Sequence, residues 1–193
     1  MDKEYEMTNK ETYLHHLHQA RVEHTRWVGM VKLLSAGLLD TNKQEIELNM
    51  SDIDFGKWLE QEAMLFRDSS CVDTLYEIEG LWKSIHNNFM QIYDVCVSKN
   101  KSSLFGRKKP LSDGAIRISA VHYQEIITLS DKMKQQLRLL EKQLNAKGED
   151  AFETFGNYLV AKEHEMNLKI AEKTQKEKSK TSVSGARGAY VTE

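Results

Sequence analysis

Three histidines of this chain have positions from which their side chains could bind a metal ion or form hydrogen bonds within a core. His24, His86 and His122 each lie on the apolar side of a different helical segment, so packing these segments together would bring the rings into one interior. A buried imidazole needs a hydrogen-bond partner or a metal ion for its nitrogens, and histidine is a common ligand of zinc. Two interpretations stay open: three separately hydrogen-bonded core histidines, which is the more common arrangement, or a shared metal site.

A second candidate site is the segment 99–109, which carries five basic residues and no acidic one. Leu104 and Phe105 interleave with the cations, a composition that suits phosphate, anionic lipid or an acidic protein partner. A solvated connector is the simpler reading, and the net charge of -2 gives the whole chain no attraction to nucleic acid or membranes. The candidate partner-binding residues are Lys101, Arg107, Lys108 and Lys109.

Sequence signatures of catalysis are missing. There is no glycine-rich phosphate loop after a strand, no GxSxG elbow and no HExxH motif, and no nucleophile–base pair is visible. Cys71 and Cys96 are isolated, as expected of reduced thiols. The chain begins with charged residues and has no apolar run of about 18 residues. We therefore expect a cytoplasmic protein that is not an enzyme and has no small-molecule substrate.

The apolar periodicity predicts helices throughout. A capping box formed by Thr8 and Glu11 begins a helix predicted from Asn9 to Leu38. The same spacing at Ser51 and Asp54 predicts the start of a short helix, and the next helix runs to about Cys96.

Beyond the basic segment, the pattern predicts a long helix over 115–145 with a near-heptad apolar seam, followed by a last helix that fades near residue 172. Residues 173–193 are rich in Lys, Ser, Thr and Gly, a composition typical of disorder. With a single proline at Pro110, the chain is predicted to be an all-α helical bundle with up-down helices, long C-terminal helices and a disordered tail. The predicted organisation is therefore a helical region at 1–98, a basic loop at 99–114, helices at 115–172 that complete the bundle or dimerise, and a disordered tail at 173–193.

Two short motifs resemble the chemoreceptor zinc-binding (CZB) domain of bacteria. His24-Thr25-Arg26-Trp27 matches its HxxW motif, and Phe55-Gly56-Lys57-Trp58 matches the FGxW part of its second motif, with His86 further along. The resemblance covers about residues 14–97. It implies a helical bundle, usually dimeric, in which three histidines and a cysteine bind zinc and regulate chemoreceptors or diguanylate cyclases.

Two of the family's ligand positions carry other residues in this chain. Ile53 replaces the cysteine three residues before the glycine, and Trp82 replaces the first histidine of an HxxxH pair that ends at His86. The resemblance thus leaves His24 and His86 as ligands, with Asp52, Asp54 or His122 as substitutes. Because Ile53 and Trp82 are large and apolar, we expect a packed core and no cofactor here, with zinc as the alternative.

The sequence therefore favours a cytoplasmic bacterial regulatory protein that acts through protein–protein contacts. We expect a homodimer whose long C-terminal helices or tail contact an unidentified signalling or motility protein. The alternatives are a zinc-responsive sensor that uses His24 and His86, and a helical adaptor that binds nucleic acid or membrane through the basic segment.

Overall fold

The computed structural model describes residues 7–39, 46–67, 69–97 and 111–184, with side chains up to residue 176. Two 3-10 turns, Ala63–Phe66 and Glu149–Phe152, connect successive helices, and the described residues contain no strand. The predicted all-α helical bundle is confirmed. The described residues form five α-helices, α1 (Asn9–Ser35), α2 (Asp54–Gln61), α3 (Val72–Cys96), α4 (Asp113–Asn145) and α5 (Glu153–Ser184).

Helices α1, α3 and α4 form the body of the bundle. Helix α4 packs against both of the others, and most extensively against α3. Hydrogen bonds between side chains show the relative direction of α3 and α4. Cys96 bonds to Ser119 near one end of the pair, and Lys147, just after α4, donates to Ser70, just before α3. Helix α4 is therefore antiparallel to α3. The short α2 packs on α1 and places its motif residues against the interior.

The ends of α1 have clear local causes. Thr8 and Glu11 form the predicted capping box, with the Thr8 side chain accepting from the Glu11 amide and the Glu11 side chain accepting from the Thr8 amide. The helix ends before the predicted Leu38 because Gly37 takes a φ of 70°, a left-handed conformation that glycine adopts without strain.

The second predicted capping box is wrong. Helix α2 has Ile53 at its N-cap, with no side-chain cap bond, and the Ser51 hydroxyl donates to the Glu60 carboxylate at 2.6 Å. The spacing of Ser51 and Asp54 is correct for a box, but the helix begins two residues later than that motif requires.

The predicted disordered tail is also wrong over residues 173–184, which continue α5. Residues 157–184 contain neither glycine nor proline and are rich in Lys and Glu, which favour helix even without tertiary packing. Residues 185–193 lie outside the described part of the chain. So do Lys101, Arg107, Lys108 and Lys109, because the structure describes nothing between residues 97 and 111.

Candidate functional site

The most deeply buried of the three candidate histidines is His24 on α1. Its side chain has no solvent-exposed surface, and its Nε2 lies 2.9 Å from the Ser130 hydroxyl of α4. The Nδ1 atom has no hydrogen-bond partner within the described part of the chain. Burial, with a smaller effect from the nearby Lys134 ammonium, lowers the pKa of His24 to about 4. His24 is therefore a neutral imidazole at physiological pH.

His86 on α3 is partly buried and has a different partner. Its Nε2 donates to the Leu48 carbonyl at 2.9 Å. Since a carbonyl oxygen only accepts, Nε2 carries the proton and is not free to bind a metal ion. Burial lowers the pKa of His86, and the bond to Leu48 offsets part of that effect. His86 thus holds the segment before α2 against α3.

His122 on α4 belongs to a third, separate arrangement. Its Nδ1 lies 2.8 Å from the Asn88 amide oxygen of α3, so this ring nitrogen is the donor. Each of the three histidines therefore has its own hydrogen-bond partner, on three different elements.

Trp82 occupies the space beside His24 and His86. Its ring centroid lies 6.1 Å from that of His24 and 6.4 Å from that of His86. Trp27 and Phe55 pack on the same indole at 5.2 and 5.0 Å. Trp82 is fully buried and Ile53 nearly so. Ile53 and Trp82, which stand where the CZB family has ligands, are thus both core residues, and Trp82 packs in a cluster with the motif aromatics Trp27 and Phe55.

Gly56 permits this packing because nothing larger fits at its position. A Cβ atom there would lie 2.0 Å from the Met50 carbonyl oxygen and 3.2 Å from the Trp82 indole nitrogen. The first distance is far shorter than a van der Waals contact. The glycine of the FGKW motif therefore lets the backbone before α2 and the Trp82 ring approach α2 closely.

These residues do not fit a structural zinc ion. Such a site needs four donors, usually histidine or cysteine. Here the Nε2 atoms of His24 and His86 already have partners, and Ile53 and Trp82 have no metal-binding atom. In the part of the chain that the structure describes, no group of three His, Cys, Asp or Glu residues is placed to hold a metal ion.

A second feature, at the opposite end of α1, anchors α5. Tyr13 packs its ring on Phe66, Phe152 and Phe155, all of them buried. Nearby, the buried Glu62 carboxylate is 2.8 Å from the His16 ring and 3.6 Å from the Lys162 ammonium. These contacts fix the first turns of α5 to α1 and to the 3-10 turn after α2.

Beyond this anchor, α5 leaves the bundle. Every residue from 160 to 176 is exposed, although the segment includes large apolar side chains. About 25 residues of helix extend past Leu159, a length of roughly 37 Å. The exposed apolar residues are Val160, Met166, Leu168 and Ile170.

Sequence reasoning identified the aromatic centre but missed Glu62 and Lys162. A glutamate and a lysine separated by 100 positions give no periodic or motif signal, so only the fold shows that they meet. The exposure of Met166 and Ile170 was missed because their spacing gives a misleading signal, that of a buried helix face.

Known proteins add no further assignment: no family model, curated protein or solved structure matches this chain. None of the described helices is both long enough and apolar enough to cross a membrane.

Proposed function

We propose that this chain is a cytoplasmic bacterial regulatory protein that works by binding other protein chains and not by catalysis. Its bundle is a rigid, metal-free base related to the CZB scaffold, and α5 is its contact element. The observation that carries the proposal is an apolar stripe on α5, formed by Met166 and Ile170, which is exposed to solvent. An isolated helix in water is only marginally stable, so a long exposed helix with apolar residues needs a partner.

The geometry of the stripe favours a helical partner. At 100° per residue, Leu159, Met166 and Ile170 lie on the same side of α5 as the buried Phe155. The seam has the four- and three-residue steps of a coiled coil, running through Leu159, Glu163, Met166, Ile170 and Lys173. The face that packs into the bundle therefore continues into solvent.

The charges in this seam favour a second copy of the chain in antiparallel orientation. If the two helices cross at residue 168, Met166 of each copy faces Ile170 of the other, and Glu163 faces Lys173. A parallel pair would instead place Glu163 opposite Glu163 and Lys173 opposite Lys173. Opposite charges across a helix pair set orientation in this way, so the predicted homodimer is antiparallel through α5.

The apolar contact is small, which sets the expected affinity. Burying Met166 and Ile170 on both copies contributes about 6–12 kcal/mol before costs. Association itself costs on the order of 4–15 kcal/mol. At most about 8 kcal/mol remains, so the dimer is weak and its dissociation constant is no lower than about a micromolar. Such an equilibrium suits a regulatory protein whose assembly follows its concentration or the presence of a competing partner.

Sedimentation equilibrium of the full chain over about 5–500 µM tests the proposal. We expect the native chain to approach a dimer at the upper end and Met166→Glu/Ile170→Glu to remain a monomer. Leu168→Glu is the matched control, because Leu168 is equally exposed but lies on the other side of the helix. A native chain that is monomeric throughout contradicts the proposal, as does equal loss of the dimer in the control.

A further inference from the structure

A groove between α1 and α4 has the chemistry of a ligand site and plays no part in the proposed dimer. Its volume is about 430 Å³, which falls within the range of small-molecule pockets. Val22 and Leu137 give it an apolar wall, and no carboxylate group is among its lining side chains. The basic side chains around this α1–α4 groove are His18, Arg21, Arg26, Lys134 and Arg138.

Several of these cations are available to a ligand. Arg138 is exposed and has no acidic partner among the described residues. Lys134 pairs with Asp131 at 3.1 Å, and both groups are 41 % or more exposed. Surface pairs of this kind contribute about 0–1 kcal/mol, so a bound anion can replace them at little cost. Arg21 differs, because its 2.6 Å bond to Glu141 joins α1 to α4 and holds the groove in shape.

His24 lies at the inner side of the same groove. His24 is one of the residues around the cavity, its side chain has no solvent-exposed surface, and its Nδ1 has no hydrogen-bond partner among the described residues. A buried polar atom without a partner is unusual and costs free energy. A ligand in the groove would lie close to this buried imidazole.

We propose that the α1–α4 groove binds a small organic anion, in which a carboxylate, sulfonate or phosphate group is carried on an apolar or aromatic body. The side chains of Lys134 and Arg138 form ion pairs with the anionic group. Val22 contacts the body, beside the buried Leu137 and His24 side chains. The combination of an apolar interior with a few placed polar groups is typical of small-molecule sites.

Two fluorescent probes of similar shape test the proposal on the full chain: anilinonaphthalene sulfonate, which is anionic, and phenylnaphthylamine, which is its uncharged counterpart. Lys134→Gln/Arg138→Gln should weaken sulfonate binding about tenfold, since it removes two charged contacts. Lys132→Gln/Lys142→Gln is the matched control, because it removes two exposed cations of the same helix that do not line the groove. The control should change the affinity less than about twofold.

A second readout locates the probe. With ring-labelled histidine, the chain gives seven imidazole signals, and the sulfonate should shift those of His24 and His18 but not that of His164 on α5. Unshifted His24 signals overturn the proposal. Equal loss of sulfonate binding in the control variant overturns it too, as does tighter binding of the uncharged probe. A chain that fails to dimerise but passes these tests refutes the α5 proposal alone.

Discussion

Protonation of His24 should couple the stability of the bundle to pH. The ring is buried and neutral, and its pKa falls from 6.5 in the unfolded chain to about 4 in the folded protein. Because the folded-state value is the lower one, the unfolded chain takes up the proton first. The stability contributed by the neutral ring is therefore complete above pH 6.5 and is lost as the pH falls toward 4.

The size of this effect follows from the two pKa values. Between pH 7 and pH 5, linkage predicts a loss of about 2 kcal/mol from His24 alone. The full difference, reached below pH 4, is about 3 kcal/mol. His86 contributes in the same direction, since burial lowers its pKa also. A comparison of variants is therefore needed to isolate His24.

Urea unfolding of the native chain and of His24→Gln at pH 7 and pH 5 makes that comparison. Glutamine keeps a polar group near Ser130 but does not titrate, so His86 contributes equally to both proteins. The destabilisation caused by His24→Gln should shrink by about 2 kcal/mol at pH 5. His164→Gln is the matched control, because His164 is exposed on α5. A destabilisation by His24→Gln that is the same at both pH values would refute the buried, neutral imidazole.

Two further predictions concern the aromatic centre. Gly56→Ala should destabilise the protein by about 2–4 kcal/mol, because its Cβ would collide with the Met50 carbonyl. Gly80→Ala, with open space around it in α3, should stabilise the protein by about 0.5–1 kcal/mol. Thermal unfolding measures both changes, and equal shifts in unfolding temperature would argue against the close approach at Gly56. Elemental analysis of protein purified without chelator should find less than about 0.2 zinc per chain, and His86→Ala should cost the same stability with and without added zinc. Stoichiometric zinc would favour the sensor alternative.

The sequence predicted the fold class and most helix positions because apolar periodicity and capping are local signals. The Thr8–Glu11 box illustrates this, since both of its hydrogen bonds lie within one helical turn. The end of α1 at Gly37 depended on one backbone conformation, and a periodic pattern alone does not reveal it. Local patterns also misplaced the tail, because composition typical of disorder is equally typical of an exposed, charged helix.

The candidate site was predictable in part. Ile53 and Trp82 were expected to fill the space of a zinc site, and both are core residues, Trp82 in ring contact with His24 and His86. The individual partners of the histidines were not predictable, because Ser130, Leu48 and Asn88 come from elements far apart in sequence. The cations of the α1–α4 groove likewise come from two helices more than 100 residues apart.

Charge reversal within the α5 seam distinguishes antiparallel from parallel pairing. Glu163→Lys and Lys173→Glu should each raise the dimer dissociation constant about tenfold, because each variant places like charges opposite one another twice. Glu172→Lys lies off the seam and should have little effect. Combining the two reversals restores opposite charges only in an antiparallel dimer, so we expect the dissociation constant to recover to within about twofold of the native value. A double variant that dimerises no better than either single variant would contradict it.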